Sequence, residues 1–323
     1  MTGPRFKNMA FVAILIFLFI EILIIFPQHL EKFEAETKTI YPKSDSSEAL
    51  QKASGVHLVE SQKGSHDWEL FAKDAEGNQG NVSWLLKTVR VQFYNKEQID
   101  FVVTGQSGKI DMKSKGMKIM GDVKITSTNG YVFQTDEVVY DAEKRLIISQ
   151  GPISMQGPKD EQGAGLKVQG SEMVVEIEQS RMLVKNQIKA SKQLNENKLF
   201  NLSCGHAEFS GKSHEAKFLD NVVIHYNETK IEGPTAVFVY EKNKSTLKNI
   251  ILSGGVRVSN DDKYAMSETM NLDIDANKFT FLGHPKVYQN NDELSGQQIV
   301  FLDGGKKVKV ENVRATMDDK KKK

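Results

Sequence analysis

The side chains with the most chemical reach in this sequence are spaced so that they cannot use it. Cys204-Gly-His206, with His214 further on, offers soft metal ligands. A structural zinc site needs four ligands at regular spacing, and no fourth partner follows these three. A lone cysteine cannot close an intramolecular disulfide either. Asp136, Glu137, Asp141, Glu143, Asp273 and Asp275 supply carboxylates of the kind glycosidases use in pairs. They fall at the ends of predicted strands and in turns, where solvated acids are ordinary. No nucleophile elbow, phosphate-binding loop or dinucleotide fingerprint occurs. The reading is therefore of a non-enzyme, with no catalytic residue, no metal and no cofactor. Lys and Arg number 43 against 42 Asp and Glu, so no net field draws the chain to nucleic acid. The Asp318–Lys323 run reads as a solvated charged tail.

The N-terminus is built differently. Met9 to Phe26 is an almost unbroken apolar run, about 18 residues and about 27 Å at helical rise, enough for one short membrane helix. Arg5 and Lys7 precede it and Glu31, Glu34 and Glu36 follow, so the basic flank is expected to stay cytoplasmic and the rest to be exported. A cleaved signal peptide is the competing reading. No small-x-small site follows the run, which favours a retained anchor. Glu21 lies inside the run, where an ionisable group marks either a contact with a membrane partner or a side chain snorkelling to the interface.

After a polar, Ser/Lys/Glu-rich tether with room for a short helix near Ser47 to Lys52, the pattern turns to β from His66 onward. Runs rich in Val, Ile, Phe and Tyr alternate with polar residues between Asn-Gly, Asp-Gly and similar turns; Asn129-Gly130 is expected to close a hairpin. A repeat emerges when a small or polar residue is taken as the anchor of each unit. Gly121, Gly151, Asn186, Asp220, Gly254, Gly283 and Glu311 are separated, by subtraction, by 30, 35, 34, 34, 29 and 28 residues. Two and four positions to either side, the residues are mostly apolar, and the period-2 geometry of a strand turns them all to one face. The anchor is read as a bend carrying a strand from one sheet into a facing one. Asn186 and Asp220 show that glycine is not required, so the bend is expected to be modest. The last unit breaks the rule, since Lys307 and Lys309 take inward positions unless a bulge shifts the register to Val308 and Val310.

Three stretches carry a family resemblance: "DWELFAKDAEGN" at Asp67 to Asn78, with Trp68, Leu70 and Ala72; "VRVQFYNKEQIDFVVTGQSGKIDMKSKGMKIMGDVKI"; and the unit holding Tyr140, Asp141, Lys144, Arg145, Gly151 and Pro152. Together with the N-terminal anchor they resemble the LptC family, the membrane-anchored component of the lipopolysaccharide-transport bridge. The remainder, "GHPKVYQNNDELSGQQIVFLDGGKKVKVENVRATM" above all, is similar to the soluble LptA or OstA-like family. The resemblance implies an all-β fold, an elongated antiparallel β-jellyroll of OstA-like repeats behind one transmembrane helix. It divides the chain into a cytoplasmic start (1–8), the membrane helix (9–27), a periplasmic tether (28–65), an LptC-like jellyroll (66–200), an LptA-like continuation (201–317) and the tail (318–323).

The resemblance also implies a function: an inner-membrane, single-pass protein with a periplasmic jellyroll whose apolar groove relays lipopolysaccharide from an ABC transporter toward the outer membrane. Its expected lining is Ile119, Val123, Ile125, Ile153, Met155, Val184, Phe218, Val222, Ile224, Ile250, Leu252, Val256, Phe279 and Phe281. The partners it implies are lipopolysaccharide, the transporter's permease subunits through the anchor helix, and a further OstA-like jellyroll at an edge strand, where Lys306, Lys307 and Lys309 equally fit a guarded edge. If each unit adds one strand to each sheet, seven units give a groove of about 34 Å. Two rival readings share the pattern: a membrane-anchored β-scaffold with a closed core, and a carbohydrate-active enzyme on a β-solenoid. Periodicity alone does not separate a groove from a filled sandwich core.

Overall fold

The computed structural model describes residues 50–316 apart from positions 63, 79–81, 160–164, 195–198, 242–245, 261–262, 291, 303–306 and 313. All of them belong to the second of two compact units, Glu48–Lys323. Among the described residues no helix is long and apolar enough to cross a membrane. The Met9–Phe26 run with Glu21, the start of the tether and the terminal tail lie outside the described residues.

The described chain is all-β, apart from a single 3-10 turn at Ile177–Gln179. Its strands are β1 (Leu50–Gln62), β2 (Ser65–Asn78), β3 (Ser83–Asn95), β4 (Gln98–Asp111), β5 (Met117–Ser127), β6 (Val132–Asp141), β7 (Leu146–Ser149), β8 (Ile153–Gln156), β9 (Lys167–Gly170), β10 (Glu172–Glu176) and β11 (Arg181–Gln193). They continue as β12 (Leu199–Ser210), β13 (Glu215–Tyr226), β14 (Thr229–Tyr240), β15 (Leu247–Asn260), β16 (Lys263–Asp273), β17 (Lys278–Leu282), β18 (Lys286–Gln289), β19 (Asp292–Ser295), β20 (Gln298–Leu302), β21 (Lys307–Glu311) and β22 (Arg314–Thr316). Every pairing is antiparallel, and most strands pair with their sequence neighbours.

Each long strand is creased near its middle and serves two facing layers. The crease is a two-residue interruption of the ladder, between Met120 and Val123, Lys185 and Ile188, Leu219 and Val222, and Ser253 and Val256. Both interrupting residues take left-handed backbone angles: Gly121 and Asp122 at φ 79° and 46°, Asn186 and Gln187 at 61° and 52°, Asp220 and Asn221 at 65° and 54°, Gly254 and Gly255 at 89° and 95°. Asn and Asp are the side chains that tolerate this region best. The polar anchors therefore mark the same crease as the glycines, not a gentler one as their residue type led us to expect. At Gly151 the strand breaks outright, between β7 and β8.

Three further expectations are corrected. The tether does not reach residue 65: Leu50–Gln62 is strand β1, paired along its length with β2 and creased at Gly55, and residues 50–52 are strand where a short helix had room to form. With Thr88 (φ 52°) in β3, Gly55 extends the anchor series upstream at 33-residue spacings. In the last unit the left-handed residue is Asn312, one past Glu311, so Val308 and Val310 pair opposite Phe301 and Ile299, Val310 partly buried and Val308 still 49 % exposed at the chain's last rung. Lys307 and Lys309 face out. Finally, one repeat is a descending and an ascending strand, so it adds two rungs to each layer rather than one. The 22 strands, five rungs being split in two, make 17 rungs, roughly 77 Å at about 4.8 Å each instead of about 34 Å.

The layers face each other closely. Phe93 meets Tyr140 at 4.7 Å between ring centroids, Phe133 meets Phe209 at 6.2 Å and Phe200 meets Phe238 at 5.1 Å, each pair spanning the interior. Where the even strands cross the crease the backbones come close. A Cβ on Gly105 would sit 2.5 Å from Ile119 Cγ2, so only glycine fits there.

Candidate functional site

The inward residues form continuous rows through the interior. In the layer of the pre-crease halves, one row runs Ile119, Val138, then Met173, Val184, Ala207, Phe218, Ala236, Leu252, Met270, Phe281, Ile299 and Val310, each opposite the next after the break at β7. In the other layer a row runs Leu70, Val91, Val103, Ile125, Phe133, Met155, Val168, Ala190, Leu202, Ile224, Ile231, Val258, Ala265 and Val287. Small residues sit beside large ones: Phe218 lies between Ala207 and Ala236, and Ala216 between Phe209 and Phe238. This alternation lets the faces interdigitate without voids.

All fourteen residues expected to line a groove are on these inward faces. Val123, Ile125, Val184, Phe218, Val222, Ile224, Ile250 and Leu252 are at most 1 % exposed; Ile119, Ile153, Met155, Val256, Phe279 and Phe281 reach 7 %. They form a filled core with the opposite walls in contact, where the resemblance implied an open groove.

The free ends of the two layers, opposite the crease, form a seam. Arg145 Nη2 donates to Tyr94 O at 2.7 Å and lies 2.7 Å from Asp67 Oδ1, an ion pair without hydrogen-bond alignment; Tyr140 OH donates to Asp67 Oδ2 at 3.4 Å. Burial pushes the Asp67 carboxyl above its ordinary pKa despite the Arg145 charge beside it, and burial likewise pushes Tyr140 up. Arg145 Nε and Trp68 Nε1 are buried with no hydrogen-bond partner. Nearby, Asn95 Nδ2 donates to Ile177 O and Ser180 Oγ, both at 3.0 Å, and Ser180 Oγ donates to Asp100 at 2.7 Å. Lys115 meets Glu60 at 3.1 Å. Tyr140 and Arg145, which carried the family resemblance, meet at Asp67, and the 73 residues between Asp67 and Tyr140 hide that contact from the sequence.

Farther along, the walls part around a cavity of about 80 Å³ lined by Val258, Ala265, Phe279, Phe281, Val287 and Phe301, with Asn260 and Lys263 at its rim. The groups set aside as chemistry have structural partners. Cys204 is buried, donates to His206 O at 3.1 Å, and has its thiol pushed up to about 12 by burial, which keeps it unreactive. His206 pairs with Asp220 at the crease. Asp141 and Asp273 cap turns through the backbone N–H of Lys144 and Ala276, and Glu137 pairs with Lys118 at 2.7 Å. Among the described residues no group of His, Cys, Asp and Glu is placed to hold a metal.

The described residues form a two-layered antiparallel jellyroll whose apolar inner faces pack against each other along its length. The model of the LptC-related lipopolysaccharide-assembly family matches residues 13–193, more than half of the chain, and the chain belongs to that family. The model of the LptA/(LptD N-terminal domain) lipopolysaccharide transport proteins matches residues 202–303. Among solved structures the chain is similar to LptH, the LptA-homologous periplasmic component of the lipopolysaccharide transport device of Pseudomonas aeruginosa, at 17% identity and a TM-score of 0.33, over 37% of this chain and 94% of that one. No curated protein matches the chain.

Proposed function

We propose that this protein is a periplasmic bridge component that accepts lipopolysaccharide from an inner-membrane ABC transporter and passes it along its lumen toward the outer membrane. Membership of the LptC-related family supports the transport role and a membrane-anchored, periplasmic chain. In this reading residues 9–27 anchor it with the N-terminus in the cytoplasm, Glu21 meets the permease, and the edge strands pair with neighbouring jellyrolls. The observation that carries the reading is the continuity of the lumen rows across β11 and β12. Lys185 pairs with His206 and Ile188 with Cys204 where one family match gives way to the other, so the two regions share one wall.

Acyl chains enter such a lumen by replacing the opposite wall. Each buried CH₂ is worth about 0.8 kcal/mol whether it meets Phe218 or a lipid, so exchange costs little apolar burial while the seam's few polar contacts open. Nothing in this transfer calls for a reactive group. Photocrosslinking residues placed at Ile125, Phe218 and Phe281 should capture lipopolysaccharide in cells, and those at outward Lys124 should not. Equal capture at both sets rejects the lumen as the path. Cysteines at Asn95 and Ser180 joined by a short maleimide crosslinker should cut capture at Ile125 at least tenfold, because the seam can no longer part there.

A further inference from the structure

The outward face of the post-crease layer carries a second feature, on the other side of the wall from the lumen. From β8 to β13 its outward residues are Ser154, Lys167, Gln169, Lys189, Ser191, Asn201, Ser203 and His225, with Gln156, Gln193, Leu199 and Val223 at the margins. Not one carboxylate stands on these five rungs. The pre-crease layer, on the same rungs, presents Glu172, Glu176, Glu208 and Glu215 among Arg181, Lys185 and Lys217. A near-neutral chain thus hides a local separation of charge. Lys167 and Lys189 are exposed, and among the described residues neither stands in an ion pair. The face is also concave: a hollow of about 410 Å³ opens between Lys167, Gln169, Lys189, Ser191, Asn201 and His225.

We propose that this hollow binds a linear anionic glycan, the carboxylated glycan strand of the cell wall. Amide and hydroxyl side chains both donate and accept, as sugar hydroxyls do, and here they recur on neighbouring rungs about 4.8 Å apart. Two exposed lysines supply point charges for carboxylates, and among the described residues no acid lines the hollow. Among its described lining residues the one ring is the His225 imidazole, with no Phe, Tyr or Trp to stack a run of nucleobases. Leu199 is its one exposed large apolar residue at the margin, too little for a lipid surface to bury, and a concave wall fits a polymer strand better than a bilayer. The hollow straddles the junction of the two family matches, with β9 and β11 in one and β12 and β13 in the other. It is therefore a property of the joined chain.

The experiment uses the full-length protein in detergent and glycan strands freed from purified cell walls by an amidase, which hydrolyses the amide to the stem peptides and leaves each lactyl carboxylate free, with neutral dextran of matched length as the control. Affinity electrophoresis should show the strands bound at least tenfold more tightly than dextran, weakening with salt. Lys167→Gln combined with Lys189→Gln should lower that affinity about tenfold, as should Asn201→Trp, which fills the hollow, while Lys217→Gln on the other layer leaves it unchanged. Equal retention of dextran, indifference to the lysine pair, or displacement of the strands by anionic lipid vesicles overturns the proposal. Lipopolysaccharide capture at Phe218 reads the lumen separately, so loss of glycan binding with capture intact refutes this site alone.

Discussion

Residues 50–193 and 199–316 repeat one creased-strand unit and differ in the ion pairs described at their strand ends and in the tightness of their packing. In the first region, side chains at the strand ends reach from one layer to the other: Lys115 to Glu60, Arg145 to Asp67, Asn95 to Ser180. In the second, Lys230 pairs with Glu232, Lys286 with Glu293 and Lys309 with Glu311, each within one layer, and the walls part around the cavity at Phe281. Val258 and Phe279, at 9 % and 7 % exposed, are wetter than Val103 and Phe93, both at 0 %. The difference teaches that one repeat can build a continuous wall whose strand-end contacts and packing vary along its length.

The largest test compares truncations of equivalent aromatic residues. Phe93→Ala should cost about 3–5 kcal/mol in urea denaturation, because Phe93 is fully buried against Tyr140, whereas Phe301→Ala, at a partly buried ring, should cost about 1–2 kcal/mol. Equal losses would remove the contrast between the regions. Next, Arg145→Ala should cost about 3 kcal/mol by stranding the buried Asp67 carboxylate, while Lys263→Ala at the C-terminal rim should stay within about 0.5 kcal/mol.

The smallest effect is one of pH. Asp67 has a raised folded-state pKa, so its ionisation disfavours the folded state. The wild type should lose stability relative to Asp67→Asn as pH climbs from the ordinary carboxylate range through the raised value, then hold a constant difference above it. Thermal melts of the two proteins across that window check the sign, and a pH-independent difference would mean that Arg145 fully compensates the buried charge.

Much of the wall was legible. Every residue named as lining faces inward, because period-2 alternation is a local property of an extended chain. The anchors were legible too, since a left-handed crease draws on Gly, Asn and Asp. Thr88 was not, because Thr rarely marks such a turn, and β1 was missed because Val56 and Leu58 are its main inward apolar residues amid Lys, Ser and Glu. The seam was illegible for a different reason. Asp67, Asn95, Arg145 and Ser180 are ordinary turn and strand-end polar residues whose partners stand 73 to 85 positions away or across a layer.

Alternation, turn residues and a repeat near 34 residues are written in neighbouring positions, so the sequence alone determined an antiparallel β wall with one apolar face. Whether a repeat contributes one rung or two, which register the last strand takes, where the layers are tied and where they part, and which outward face loses its acids all depend on residues far apart in the chain. These were decided only when the strands stacked, because burial, ion pairing and surface charge belong to neighbours in space.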